Sequence, residues 1–91
     1  QALNSRTHPR FWERYRKLPP RVQEEARKAY QLFTHNPAHP SLRLERLVSD
    51  PRLWSVRITS SYRAVGVRDG EEIVWFWIGS HKEYDQTFPR R

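Results

Sequence analysis

"LWSVRITSSYRAVGVRDGEEIVWFWIGSHKEYD", residues 53–85, decides how the chain folds. Trp54, Val56 and Ile58 alternate with Ser55, Arg57 and Thr59, the period-two signature of a half-buried strand. Ser60-Ser61 marks a turn, and Tyr62 to Arg68 reads as the next strand. Asp69-Gly70 is a two-residue hairpin signal, because such a turn needs the positive φ that Gly tolerates. Ile73 to Ile78 is apolar at every position. That predicts a central strand buried on both faces, with Trp75 and Trp77 sharing one of them. Connections this short predict an antiparallel meander. The run then stops at Gly79 and presents His81, Lys82, Glu83, Tyr84 and Asp85 together.

Upstream the apolar period is helical. Pro9 precedes Phe11, Trp12, Tyr15 and Leu18, which share one face of a short helix. Pro19-Pro20 ends it, since a residue before Pro avoids the helical region. Pro20 is then well placed in the first turn of a second helix. Val22, Ala26, Ala29, Tyr30 and Phe33 line that helix until Asn36-Pro37, and Glu24 and Glu25 suit its N-terminal end. From Ser41 the period falls to two, with Leu42 and Leu44 alternating with Arg43 and Glu45. Helices first and strands after predict an α+β fold: an N-terminal helical hairpin on one face of a twisted antiparallel sheet of about four strands. Residues 1–8 read as an edge strand or a frayed end.

At 91 residues the chain is expected to form one domain, 1–91. It contains four Trp, four Tyr and four Phe, which must supply much of the buried area. With no Cys, disulfides and thiolate metal sites are excluded, and a cytoplasmic setting is expected. No apolar run approaches the ~20 residues that cross a bilayer, so no membrane partner is expected. Met is absent too, which leaves open whether the native start is included. Lys and Arg number 17 against 10 Asp and Glu, a formal charge of +7. A balance this basic points to a polyanion. Fourteen of the cations are Arg, whose planar fork suits phosphate and stacks on bases. His35 and His39 are four apart, yet Pro37 breaks the helix that a metal pair at that spacing needs. No metal or other cofactor is expected.

"LPPRVQEEARKAYQLFTHNPAHPSLRLERL" followed by "WSVRI", "YRAV", the DG hairpin and "IGSHKEYD" resembles the RelE/ParE superfamily of bacterial type II toxins. The resemblance spans residues 9–85. It implies a small α+β toxin neutralised by a cognate antitoxin. Many members cut messenger RNA on the ribosome; ParE-like members instead poison DNA gyrase. Carried over by position, Arg63 falls where RelE-like nucleases bind the scissile phosphate, and Arg57 where a basic residue often precedes it. His81 falls where the family places Arg or His, and Tyr84 near a C-terminal Tyr or His. Ser55 departs from the Lys of some nucleases.

The chemistry agrees with those positions. Cleavage of RNA by its own 2′-OH needs a base, a cation for the charge on phosphorus, and an acid for the leaving 5′ oxygen. Imidazole is the side chain whose ordinary titration lies near neutrality, so His81 is the candidate for proton transfer. Arg63, helped by Arg57, is the candidate phosphate clamp. Tyr84 is expected to stack on a base or orient the phosphate, and Lys82 to add a weaker RNA contact. The expected activity is therefore a metal-independent, ribosome-dependent mRNA endonuclease. The alternatives are a gyrase inhibitor acting by protein binding and a non-toxic basic binding module. An acidic or amphipathic antitoxin is expected to cover Arg57, Arg63 or His81.

Overall fold

A computed structural model describes residues 4–89. The elements, in chain order, are β1 (Asn4–Thr7), α1 (Pro9–Tyr15), α2 (Pro20–His35), a 3-10 turn (Pro40–Leu42), β2 (Glu45–Arg46), β3 (Leu53–Thr59), β4 (Tyr62–Asp69), β5 (Glu72–Ser80) and α3 (His81–Thr87). They form one five-stranded sheet in the order β1-β5-β4-β3-β2. The α+β class and the helical hairpin are as the sequence predicts.

Proline sets both helix starts. Pro9 opens α1 behind His8, whose Nδ1 accepts the Arg10 N–H at 3.1 Å. Pro20 opens α2, where a missing N–H costs nothing because the first turn has no intrahelical acceptor. The buried stripe of α2 is Val22, Ala26 and Phe33. Ala26 and Phe33 pack with Phe11 of α1 onto Val56, Ala64, Ile73, Trp75 and Ile78 of the sheet. Phe33 meets Trp75 edge-on, with ring centroids 5.2 Å apart. At the tip of the β4–β5 hairpin Gly70 has φ +63°, as the Asp-Gly signal requires.

Four sequence expectations need correction. The sheet has five strands rather than about four, and β1 runs parallel to β5, pairing Asn4–Thr7 with Glu72–Trp75. This is the expected edge strand; residues 1–3 of the segment read that way lie outside the described ones. A parallel pair needs a long crossover, and here nearly the whole chain supplies it. The segment read as a strand from Ser41 instead makes a 3-10 turn and passes through Arg43 at φ 46°, leaving only Glu45–Arg46 to pair with β3. A third helix, α3, follows β5 directly.

The fourth correction concerns the two tryptophans. Val65 pairs with Trp77 and Gly66 with Trp75, so Phe76 is an extra residue on β5. Such a bulge reverses the face on which the following side chains emerge. Trp75 lies under α2, with its indole N–H donated to Ser5 Oγ at 2.9 Å. Trp77 turns to the opposite face, against Tyr84 and Phe88. Both are buried, which agrees with an interior strand.

Gly66 makes room for the Trp75 ring. A Cβ there would lie 2.8 Å from Trp75 Cε3 and 3.0 Å from the Val74 carbonyl oxygen. In most strands Gly→Ala is neutral or favourable, because Gly has more backbone entropy to lose. Here Gly66→Ala is expected to destabilise by about 1–3 kcal/mol, the usual cost of overpacking. A urea midpoint equal to or above that of the parent would show that Trp75 is not held this closely.

Candidate functional site

On the sheet face away from α1 and α2, Arg63 of β4 stands between two registered neighbours, Arg57 of β3 and Gly79 of β5. Its side chain is only 11% exposed. Nη2 donates to Ser55 Oγ at 2.9 Å and lies 3.9 Å from Glu45 Oε1. The guanidinium carbon is 5.2 Å from the centre of the Tyr84 ring. Arg63 Nε is buried without a hydrogen-bond partner. A buried cation with an unmet donor is costly unless an anion completes it. The arrangement is that of a seat for phosphate or carboxylate.

Ser55 explains the orientation of that seat. It is the one buried polar residue among those described, 0% exposed, and its hydroxyl is fixed on Arg63. A long basic side chain at this position would compete for the same space; a short hydroxyl holds the fork instead. Glu45 reaches Arg63 because β2, although two residues long, sets Glu45 opposite Ser55.

The other half of the site rises from α3. Ser80 ends β5 and caps the helix: its Oγ accepts the Glu83 N–H at 3.1 Å, while Glu83 Oε1 accepts the Ser80 N–H at 3.0 Å. This reciprocal capping box is why the best-buried strand stops where it does. His81 is the first residue of α3, and its backbone N–H donates to the Ser61 carbonyl at 2.7 Å. Its Nδ1 lies 3.2 Å from Asp85 Oδ2, one helical turn on. That contact orients the ring and leaves proton exchange with a ligand to Nε2. Tyr84 links the two halves, its ring centre 6.0 Å from that of His81.

The structure thus brings Arg63, Tyr84 and His81 together. Arg57 is only half-buried, and the residue borders a separate cleft of about 360 Å³ with Glu25, Lys28 and Ser41. Lys82 is exposed on α3. Sequence reasoning gave Glu45 and Ser55 no part in holding Arg63, and Glu83 no part in a cap. Glu45 and Ser55 depend on strand register, which no local signal carries. Glu83 was legible: "SHKE", residues 80–83, has the Ser-x-x-Glu spacing of a capping box.

Among the described residues, no group of three or more His, Cys, Asp or Glu is placed to hold a metal ion. His39 Nδ1 accepts the Ser41 N–H at 3.2 Å, and His35 Nδ1 lies 2.9 Å from the Gln31 carbonyl oxygen. No helix among them is long and apolar enough to cross a membrane.

A helical hairpin on a sheet, with Arg63 under a short C-terminal helix, defines a small α+β fold. Residues 20–86 match the ParE-like toxin domain. The chain belongs to that family, among the RelE/ParE toxins of type II toxin–antitoxin systems. Among solved structures it is similar to the RelB–RelE antitoxin–toxin complex from Methanococcus jannaschii, with TM-score 0.74 and 12% identity, covering 92% of this chain and 99% of that one. YafQ from E. coli gives TM-score 0.71 at 9% identity, covering 90% and 97%. The YoeB/ParE toxin from Agrobacterium tumefaciens gives 0.66 at 20% identity, covering 87% and 99%. These likenesses concern the fold. No curated protein matches the sequence.

The cap has a pH signature. The Ser80 backbone N–H, aided by the Arg14 guanidinium and opposed by burial, holds the Glu83 carboxyl below the ordinary glutamate range. A depressed carboxylate contributes stability that is complete above its unfolded pKa, about 4.3, and is lost as pH falls through the lower folded value. The Ser80 amide proton resonance is therefore expected to titrate with a midpoint below that of an ordinary glutamate. The same step persisting in Glu83→Ala would assign it to another group.

Proposed function

We propose that this toxin is a ribosome-dependent mRNA endonuclease that needs no metal, held inactive by a cognate antitoxin. The observation that carries the reading is the unmet Nε of a nearly buried Arg63, with a proton-transfer group on either side. In the strand order β5-β4-β3-β2, His81 follows β5 and Glu45 lies on β2, so they flank Arg63 from opposite sides. In-line displacement at phosphorus requires that geometry, because the attacking oxygen enters opposite the leaving one.

The steps follow from the side chains. Arg63 grips the scissile phosphate, its fork aimed by Ser55, and stabilises the added charge on phosphorus. The Glu45 carboxylate takes the proton of the 2′-OH as that oxygen bonds to phosphorus. His81 gives a proton to the departing 5′ oxygen as the P–O bond breaks. The products are a 2′,3′-cyclic phosphate and a free 5′-OH. Tyr84, seated against Arg63, offers its ring to an unstacked base. Lys82 and Arg57 add charge along the strand's path. An acidic or amphipathic antitoxin would cover Arg57, Arg63 or His81. The apolar groove of about 300 Å³ between α1 and α2, lined by Phe11, Trp12, Tyr15 and Tyr30, gives such a partner a second foothold.

The second reading is a gyrase-directed toxin, which the ParE-like family match favours. It requires no proton-transfer pair. The two readings part on one experiment: induction in cells, with RNA 5′ ends mapped and DNA breaks and supercoiling measured together. For the nuclease, His81→Gln and Glu45→Gln are each expected to lower cleavage ~10²–10⁴-fold with ribosome binding retained. Arg63→Ala should lose both binding and cleavage, and Arg63→Lys should recover only part, since Lys keeps the charge without the fork. Retained toxicity of His81→Gln with intact RNA and accumulating DNA breaks would establish the gyrase reading instead.

Association carries its own test. Binding that releases counterions from phosphates weakens with salt in proportion to the contacts made. The affinity of an inactive His81→Gln protein for ribosomes is expected to fall steeply from 50 to 200 mM salt, by at least ~10-fold for a few contacts. An affinity flat over that range would remove the phosphate contacts from the reading.

A further inference from the structure

Arg14 of α1 serves neither the core nor the groove. β1 pairs with β5 only as far as Trp75, and no described strand covers Phe76 to Ser80 on that side. Arg14 occupies this open edge. Its Nε donates to the Ile78 carbonyl at 2.7 Å. Its guanidinium carbon lies 4.7 Å from the centre of the Trp77 ring. Its Nη2 is 3.5 Å from Glu83 Oε1, the same oxygen that accepts the Ser80 N–H. Trp77 in turn meets Phe88 edge-on at 5.3 Å and Tyr84 at 6.2 Å.

These groups converge above Gly79, the residue paired with Arg63. A Cβ on Gly79 would lie 2.8 Å from Trp77 Cη2, 2.8 Å from Glu83 Oε1 and 2.9 Å from Arg14 Nη2. α3 has seven residues, none of them buried. Helices this short do not persist in water alone. The one that carries His81 and Tyr84 is therefore held by its cap, by the aromatic contacts of Trp77, and by the side chain that touches both.

We infer that Arg14 is a positioning residue: it fastens α3 to β5 and thereby places His81 and Tyr84 over the Arg63 phosphate seat. Its consequence for cleavage rests on the nuclease reading; its hold on α3 does not. The role needs a guanidinium. One planar group stacks on Trp77, donates Nε to the strand edge and turns Nη2 to the helix cap. A lysine reaches one of these acceptors at a time. An ordinary surface ion pair between Arg14 and Glu83 would behave otherwise, since an ammonium would serve as well.

The test compares the full chain with Arg14→Gln and Arg14→Lys. The first readout ignores activity: amide hydrogen exchange, with nuclear Overhauser contacts between the Tyr84 and Trp77 rings. Both variants are expected to exchange at least tenfold faster at Tyr84, Asp85, Gln86 and Thr87, and to lose the ring contacts, while β4 and β5 amides keep parental rates. Unchanged α3 protection in Arg14→Gln, or full rescue by Arg14→Lys, would overturn the inference, as would faster exchange spread evenly over the sheet. Should Arg14→Gln fail to fold, Arg14→Lys carries the same comparison.

The second readout is mRNA cleavage on ribosomes. A ten- to hundredfold fall in kcat is expected from the misplaced proton donor, with a smaller rise in KM from the displaced Tyr84 ring. Adding Arg14→Gln to a chain that already carries His81→Gln and Tyr84→Ala should cost nothing further, since Arg14 acts through the residues that α3 carries. A raised KM at constant kcat would make Arg14 a substrate contact, and a further loss in that triple variant would separate it from α3; either result refutes positioning. If the parent cleaves no RNA, the nuclease reading falls and the exchange data alone decide the hold on α3.

Discussion

Phe76 has no partner of its own on β4, and the rest of the molecule depends on that extra residue. Before it, β5 sends Ile73 and Trp75 under the helices. After it, Trp77 emerges on the other face, with Ile78 returning to the core. An unbroken period of two would have put both tryptophans under α2. The reverse face would then have lacked the Trp77 ring against which Tyr84 and Phe88 pack. With the bulge, one strand supplies a ring to each layer. Gly66 and Gly79 mark where those rings need backbone without a side chain.

How far the sequence predicts this structure can be judged residue by residue. Alternation in Trp54–Thr59 and the Asp69-Gly70 turn were legible because each depends on near neighbours. Pro9, Pro19-Pro20 and Pro37 bounded the helices for the same reason. The bulge was not legible, since Val74, Trp75, Phe76 and Trp77 are all apolar and any register satisfies them. The pairing of β1 with β5 joins residues some seventy positions apart, and the Trp75–Ser5 hydrogen bond that seals it has no local trace. In the site, Arg63, His81 and Tyr84 were each singled out, and they do converge. Glu45 escaped notice because a two-residue strand has no pattern to read. α3 escaped because a run of charges after a strand was read as a polar end, although Ser80 and Glu83 carried the capping signal.

The basic composition also has a second meaning. The excess of arginine over lysine was attributed to phosphate. In the structure, four arginines lie over aromatic rings: Arg14 on Trp77, Arg63 on Tyr84, and Arg46 and Arg68 on Trp54. A small protein rich in aromatics has more ring surface than its core can enclose, and a guanidinium covers a ring while keeping its edge hydrated. Arginine is thus part of how this fold is held. Charge alone therefore argues less for nucleic acid than the count suggests. The case for an anion at Arg63 comes from burial and an unmet donor, which surface arginines lack.

The same contrast explains why His81, the proposed proton-transfer group, sits on a helix rather than on the sheet. Arg63 has Arg57 and Gly79 as its strand neighbours. A histidine at either position would lie beside the guanidinium at strand spacing, in the plane of the face, and would crowd the anion it is meant to serve. Turning the chain into a helix at Ser80 lifts His81 above that plane, and the bare Gly79 leaves the floor open to Trp77 and the Arg14–Glu83 pair. Arg63, the proposed clamp, inherits the rigidity of a sheet sealed by Ser55. His81, the proposed proton donor, stands on seven residues with nothing of their own in the core. A site divided this way can lose its chemistry through α3 while the anion seat and the fold remain intact.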